Sequence, residues 1–195
     1  MSVESIVIAT DLNKTFKAEQ KGLDDVQALQ GINMQIKAGQ LTALVGPDGA
    51  GKTTFLRLIA GLYEPTTGSL KVLGMDVAKD PQSVQDRISY MPQKFGLYED
   101  LSIQENLDLY ADLHGVPMDV RKERFERLLK ITDLARFTER PAGKLSGGMK
   151  QKLGLACTLV RSPELLLLDE PSVGVDPLSR RDLWIIIEQL VREEN

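Results

Sequence analysis

Nine consecutive residues, Gly46-Pro47-Asp48-Gly49-Ala50-Gly51-Lys52-Thr53-Thr54, have the composition and spacing to hold a phosphate group. Glycines let the backbone curl so that successive N–H groups point inward at an anion. The apolar run Leu41 to Val45 before them reads as a buried strand. Phe55, Leu56, Ile59 and Ala60 after them are spaced as one face of a helix. Strand, glycine-rich loop and helix are the setting in which G-x-x-x-x-G-K-[ST] binds phosphate. There Lys52 reaches the β- and γ-phosphates, the Thr53 hydroxyl serves Mg2+, and the positive end of the helix faces the same anion. A glycine-rich turn ahead of an ordinary helix would carry the same letters; the motifs that follow favour phosphate.

The second chemical signal is Leu165-Leu166-Leu167-Leu168-Asp169-Glu170. Four leucines read as a strand buried on both faces. Carboxylates at its C-terminal end emerge where open α/β sheets bind ligands. Asp169 can hold Mg2+, and Glu170 can polarise an attacking water. The plainer alternative is a core strand ending in a solvated acidic turn. The third signal, Leu145-Ser146-Gly147-Gly148-Met149, opens a helix and offers another anion site at a helix N-terminus. One nucleotide needs one such site, so two suggest that two copies face each other. Here too an ordinary N-cap is the alternative.

The elements that must position these residues follow from periodicity. Ile6 to Ala9 fits a short strand, and Asp11 to Gln27 is polar and rich in turn formers. Ile32, Met34 and Ile36 alternate as a half-buried antiparallel strand. Leu70, Val72 and Val77 form a strand pair around Gly74. Pro81 to Asp86 starts a short helix, and Ile88 to Met91 is a strand ending at Pro92-Gln93. From Lys94 the pattern turns helical. Ser102 and Glu105 form a capping box ahead of Ile103, Leu107, Tyr110 and Ala111. Pro117 opens the next helix, with Val120, Phe125, Leu128 and Leu129 inward and a mixed charge run outward. Met149 to Val160 is a helix. Pro177 starts a last one carrying Leu183, Ile186, Ile187, Leu190 and Val191 on one side. Alternating strands and helices imply an α/β fold with a mostly parallel sheet.

Composition narrows the class. The chain has 195 residues, 42% apolar and 27% charged, enough for one domain with an inserted lobe. A net charge of −4 gives no broad field toward nucleic acid. One cysteine, Cys157, excludes an internal disulfide and reads as a small core residue. No signal peptide and no membrane-spanning apolar run is visible, so the chain is expected to be cytosolic or the cytosolic part of something larger.

Together with Gln93 and Ser172-Val173-Gly174-Val175-Asp176-Pro177, these motifs stand in the order and approximate spacing of the ATP-binding cassette (ABC) transporter ATPases, which the chain resembles over nearly its whole length. The stretch Tyr90 to Leu101 looks like the ATPases of ABC-2-type exporters. The resemblance implies a P-loop NTPase: a RecA-like, mostly parallel sheet, N-terminal antiparallel strands and an inserted helical subdomain. The core is expected over residues 1–93 and 162–195, with the helical signature subdomain over 94–161. It implies ATP as nucleotide and Mg2+ as metal. Glu170, Gln93 and Lys52 would be catalytic. Gly46, Pro47, Asp48, Gly49, Ala50, Gly51, Lys52, Thr53 and Thr54 would hold the phosphates, with Thr53, Gln93 and Asp169 around the metal. Phe16 would stack on adenine or, alternatively, be a core aromatic. Ser146 and Gly148 would bind the γ-phosphate held by an opposing cassette, and Asp176 would cross the dimer interface. Phe95, Leu97, Tyr98 and Leu101 would receive a coupling helix from an ABC-2-type permease, or else pack inside the insertion.

The implied function is an ATP-hydrolysing cassette of a drug or small-molecule exporter. It would lie on the inner face of a bacterial plasma membrane and pair with a second cassette, as a homodimer or in tandem. The alternatives are a structural cassette of an asymmetric pair and a soluble ABC ATPase outside transport. Asp48 and Met149 depart from the usual asparagine and glutamine. The switch histidine of the family would fall beyond Asn195, and the only histidine, His114, reads as a surface residue at a helix end. The resemblance therefore implies a C-terminally truncated chain, lacking the strand that would insert between the one before the glycine-rich loop and the one ending at Asp169, or else borrowing that strand from elsewhere.

Overall fold

The computed structural model describes residues 5–18, 22 and 24–193. The remaining positions, including part of the polar stretch between Asp11 and Gln27, lie outside the described residues. The chain divides into two compact units, residues 1–88 and 89–195.

The first unit is built on an antiparallel sheet in the order β2-β1-β3-β4. β1 is Ser5–Phe16, β2 Val26–Lys37, β3 Thr67–Val72 and β4 Met75–Asp76. Val7, Ala9, Leu12, Leu29, Leu70 and Val72 are its buried residues; Val7 with Ala9 and Leu70 with Val72 keep the alternate spacing of a half-buried sheet. The expected turn region from Asp11 is instead strand as far as Phe16. Bulges interrupt the β1–β2 register between Ala9 and Leu12 and again beyond it, with Asp11 at φ 43. Side chains replace ladder bonds there: Asp11 N–H donates to Asn33 Oδ1 at 3.0 Å, and Gly31 N–H to Asn13 Oδ1 at 2.8 Å. Polar letters that usually mark a turn thus satisfy a bulged strand. Leu73 (φ 50) and Gly74 (φ 78) form the tight hairpin between β3 and β4.

α1, Lys52–Ile59, buries Phe55, Leu58 and Ile59; α2, Pro81–Gln85, is capped by Asp80, whose Oδ1 accepts from Ser83 N–H. The expected buried strand at Leu41–Val45 is absent. These residues belong to neither sheet, and Leu41 and Val45 are 49% and 94% exposed. An apolar run states what a segment would bury, but a strand also needs a neighbour to pair with, which is a non-local condition.

The second unit holds all of β5, Ile88–Met91, but its first residue, paired with β6, Leu165–Leu168. It also holds α3, Ile103–Leu113, α4, Met118–Ile131, α5, Gly147–Leu159, and α6, Pro177–Glu193. One apolar cluster joins Ile103, Leu107 and Ala111 of α3 to Phe125, Leu128 and Leu129 of α4 and to Leu153, Ala156 and Cys157 of α5. A second packs Met91 and Leu155 against Leu183, Ile186, Ile187 and Leu190 of α6. The capping box at Ser102 and Glu105 forms as expected. Val120 is 36% exposed rather than inward, because it sits in the first turn of α4, ahead of the stripe begun by Phe125. β6 is buried only at Leu167, since the sheet here has one other strand, not a neighbour on each side.

Candidate nucleotide and acidic-pair sites

In the first unit the glycine-rich loop is shaped by its own lysine. Lys52 Nζ donates to Gly46 O and to Pro47 O, both at 2.9 Å, drawing the ammonium across the loop. Ala50 N–H donates back to Pro47 O at 3.2 Å. Gly49 and Gly51 have φ of 78 and 83, the left-handed region that favours glycine. A Cβ on Gly51 would strike the Ala28 carbonyl oxygen of β2 and come within 2.8 Å of Leu29 Cδ2. α1 begins at Lys52 with Gly51 at its N-cap, so no N-cap side chain covers the helix end, and its first turn holds no acid. Positive dipole end, ammonium and the hydroxyls of Thr53 and Thr54 together suit a phosphate chain. Gly46, Pro47, Asp48, Gly49 and Ala50 are all exposed.

Phe16 lies at the end of β1, half-buried, and meets Tyr63 edge-on at 5.4 Å with an interplanar angle of 76°. Lys14 Nζ stands 5.0 Å from the Phe16 ring and 5.6 Å from that of Tyr63, and Arg57 donates to the Tyr63 hydroxyl at 3.0 Å. Phe16 is therefore in an aromatic and cationic cluster, outside the buried core.

In the second unit the ends of β5 and β6 bring four polar side chains together in two pairs. Asp169 is 3% exposed. Its Oδ2 accepts from the Tyr90 phenol at 2.8 Å, and its N–H donates to Met91 O at 2.9 Å. Glu170 turns with φ 51, and its Oε2 accepts from Gln93 Nε2 at 3.2 Å. Each carboxylate is thus held by a side chain from β5 or from just beyond its end. Tyr90 escaped the sequence reading; its place three residues before Gln93 was the available signal. Among the described residues no group of three or more His, Cys, Asp or Glu could cage a metal. Oxygen donors of mixed kind suit Mg2+, which is commonly held by one or two carboxylates together with substrate phosphates.

Ser146 is the N-cap of α5, its Oγ accepting from Met149 N–H at 3.3 Å. Gly148 is buried against α6: a Cβ there would lie 2.5 Å from Ser179 Oγ and 2.6 Å from Ser179 Cβ. Asp176 caps α6, Oδ1 accepting from Leu178 N–H at 3.1 Å and Ser179 N–H at 3.0 Å. The Ser179 N–H, then its hydroxyl, hold the Asp176 carboxyl below its usual range. Of the apolar set, Phe95 and Leu97 pack on the helical cluster, while Tyr98 is 53% exposed. His114 is exposed at the C-cap of α3.

The sequence pattern of the ABC transporter family matches residues 29–173. The chain is 53% identical over 190 residues to the "Probable multidrug ABC transporter ATP-binding protein YbhF" of Escherichia coli, covering 97% of this chain and 32% of that protein. It therefore spans about a third of the length of that relative. It is 35% identical to the "Bacitracin transport ATP-binding protein BcrA" of Bacillus licheniformis, over 99% of this chain and 60% of that one. Among solved structures, cbiO1 from Clostridium perfringens superposes with a TM-score of 0.84 at 27% identity, over 97% of this chain and 75% of that one. The dimeric post-hydrolysis cassette MJ0796, bound to ADP and Pi, gives 0.81 at 26% identity, over 96% and 84%.

Proposed function

Because this chain belongs to the ABC transporter family, we propose that it binds and hydrolyses ATP as the nucleotide cassette of an exporter for drugs or other small molecules. The observation that carries the reading is the acidic pair beyond β6, Asp169 held by Tyr90 and Glu170 by Gln93. In this proposal Lys52 and the amides of residues 46–54 bind the phosphates. Thr53, Gln93 and Asp169 are the protein's oxygen donors to Mg2+, which when bound neutralises phosphate charge. Glu170 takes the proton of the attacking water, and Gln93 keeps that carboxylate in place. Phe16 is assigned to the adenine.

The cassette works with a second one, in a homodimer or in tandem, and Ser146, Gly148 and Asp176 serve that interface. Nucleotide binding favours the closed pair and hydrolysis releases it. Residues 1–93 and 162–195 form the nucleotide core and 94–161 the lobe that meets an ABC-2-type permease. Among the described residues no helix is long and apolar enough to cross a membrane. A peripheral place on the cytoplasmic face of the plasma membrane, beside such a permease, suits the relatives' names. Glu170→Gln tests the reading. It is expected to lower ATP turnover by about 10²- to 10⁴-fold, the usual contribution of a general base, while ATP binding is retained. Turnover close to that of the unaltered protein would assign the chain to a structural role instead.

A further inference from the structure

We infer that Tyr90 is a positioning residue for Asp169 and, through it, for the magnesium of the proposed reaction; the inference rests on the function proposed above. Adjacent residues of β5 fix both parts of Asp169. Met91 O receives its N–H at 2.9 Å, and the Tyr90 hydroxyl donates to Oδ2 at 2.8 Å. Met91 is fully buried in the apolar cluster beneath α6, which anchors that end of the strand. Asp169 is 3% exposed, so little solvent competes for its oxygens. A hydrogen bond shielded from water in this way is electrostatically stronger than the same bond in solvent.

The Tyr90 bond to Oδ2 restrains the rotation of the carboxylate plane and so the direction in which Asp169 offers lone pairs. Packing alone would be met equally well by phenylalanine, so the hydroxyl is the informative atom. Partners that orient a ligating carboxylate typically cost 10- to 100-fold in metal affinity or activity when removed.

The test is Tyr90→Phe in the full-length protein. ATPase activity is titrated with Mg2+, and the extra thermal stabilisation that Mg2+ adds to ADP is recorded beside it. We expect the Mg2+ concentration for half-maximal rate to rise about tenfold or more. The rate at saturating Mg2+ should stay within about threefold, and stabilisation by ADP without metal should be unchanged. In an Asp169→Asn background the same substitution should add nothing to the loss of metal response. An unchanged Mg2+ requirement overturns the inference. So does a general loss of stability that is the same with and without metal, since that marks a packing role only. If the unaltered protein neither hydrolyses ATP nor is stabilised by ADP, the proposed function itself fails, and the inference with it.

Discussion

At Gly51 and Gly148 the lack of a side chain is a packing requirement in addition to any ligand role. Gly51 combines φ 83 with β2 backbone in the space a Cβ would fill. Gly51→Ala should therefore lower stability by about 1–3 kcal/mol and weaken nucleotide binding, read from denaturant midpoints and ligand titration. Gly148 lacks the positive φ, so its restraint is contact with Ser179 alone. Gly148→Ala should destabilise, and adding Ser179→Gly, which removes both atoms in the way, should recover much of the loss in a double-mutant cycle. The glycines were visible in the sequence as anion-site letters. Their steric partners were not, because Ala28 and Ser179 meet them only through folding.

Among the elements, the segment between Tyr98 and Ser102 is fastened to α3 by one fully buried side chain, Asn106. Its Oδ1 accepts from Tyr98 N–H at 3.0 Å, and Nδ2 donates to the carbonyls of Tyr98 (3.0 Å), Leu101 (3.2 Å) and Ser102 (2.9 Å). Lys150 of α5 meets Glu99 of the same segment at 2.6 Å. Asn106→Ala should cost about 1–3 kcal/mol, since buried backbone groups lose their partner, and hydrogen exchange should quicken at Tyr98. The helices were the most legible elements. Capping residues and spaced apolar positions located α3, α5 and α6 because the information is local. Residues 41–45 and the Asp11–Phe16 arm of β1 depart from their local pattern for the opposite reason: pairing depends on distant strands and on Asn13 and Asn33 side chains. Asp169, Glu170 and Gln93 could be picked out by motif, whereas the Tyr90 partner required the β5–β6 pairing.

Across the molecule, carboxylates at helix starts link stability to acidity. Asp80 is held below its usual 3.8 by the Ser83 hydroxyl and then the Ser83 N–H; Asp176 is held below 3.8 by Ser179; and Glu105 is held below 4.5 by the Ser102 N–H and then its hydroxyl. A lowered folded value means the contribution is complete above the ordinary range and is lost as pH falls through the folded values. Melting temperature should thus decline on acidification below about pH 4.5, the unperturbed carboxylate range, and Asp176→Asn, which cannot titrate, should flatten part of that slope. The sole thiol supplies a separate reporter. Cys157, on α5, is fully buried in the apolar cluster shared with α3 and α4, and burial pushes its ionisation well above the usual range. Maleimide should ignore it in the native state, so a cysteine introduced at any exposed position can carry a fluorophore alone, while labelling at Cys157 itself would time the opening of the helical lobe.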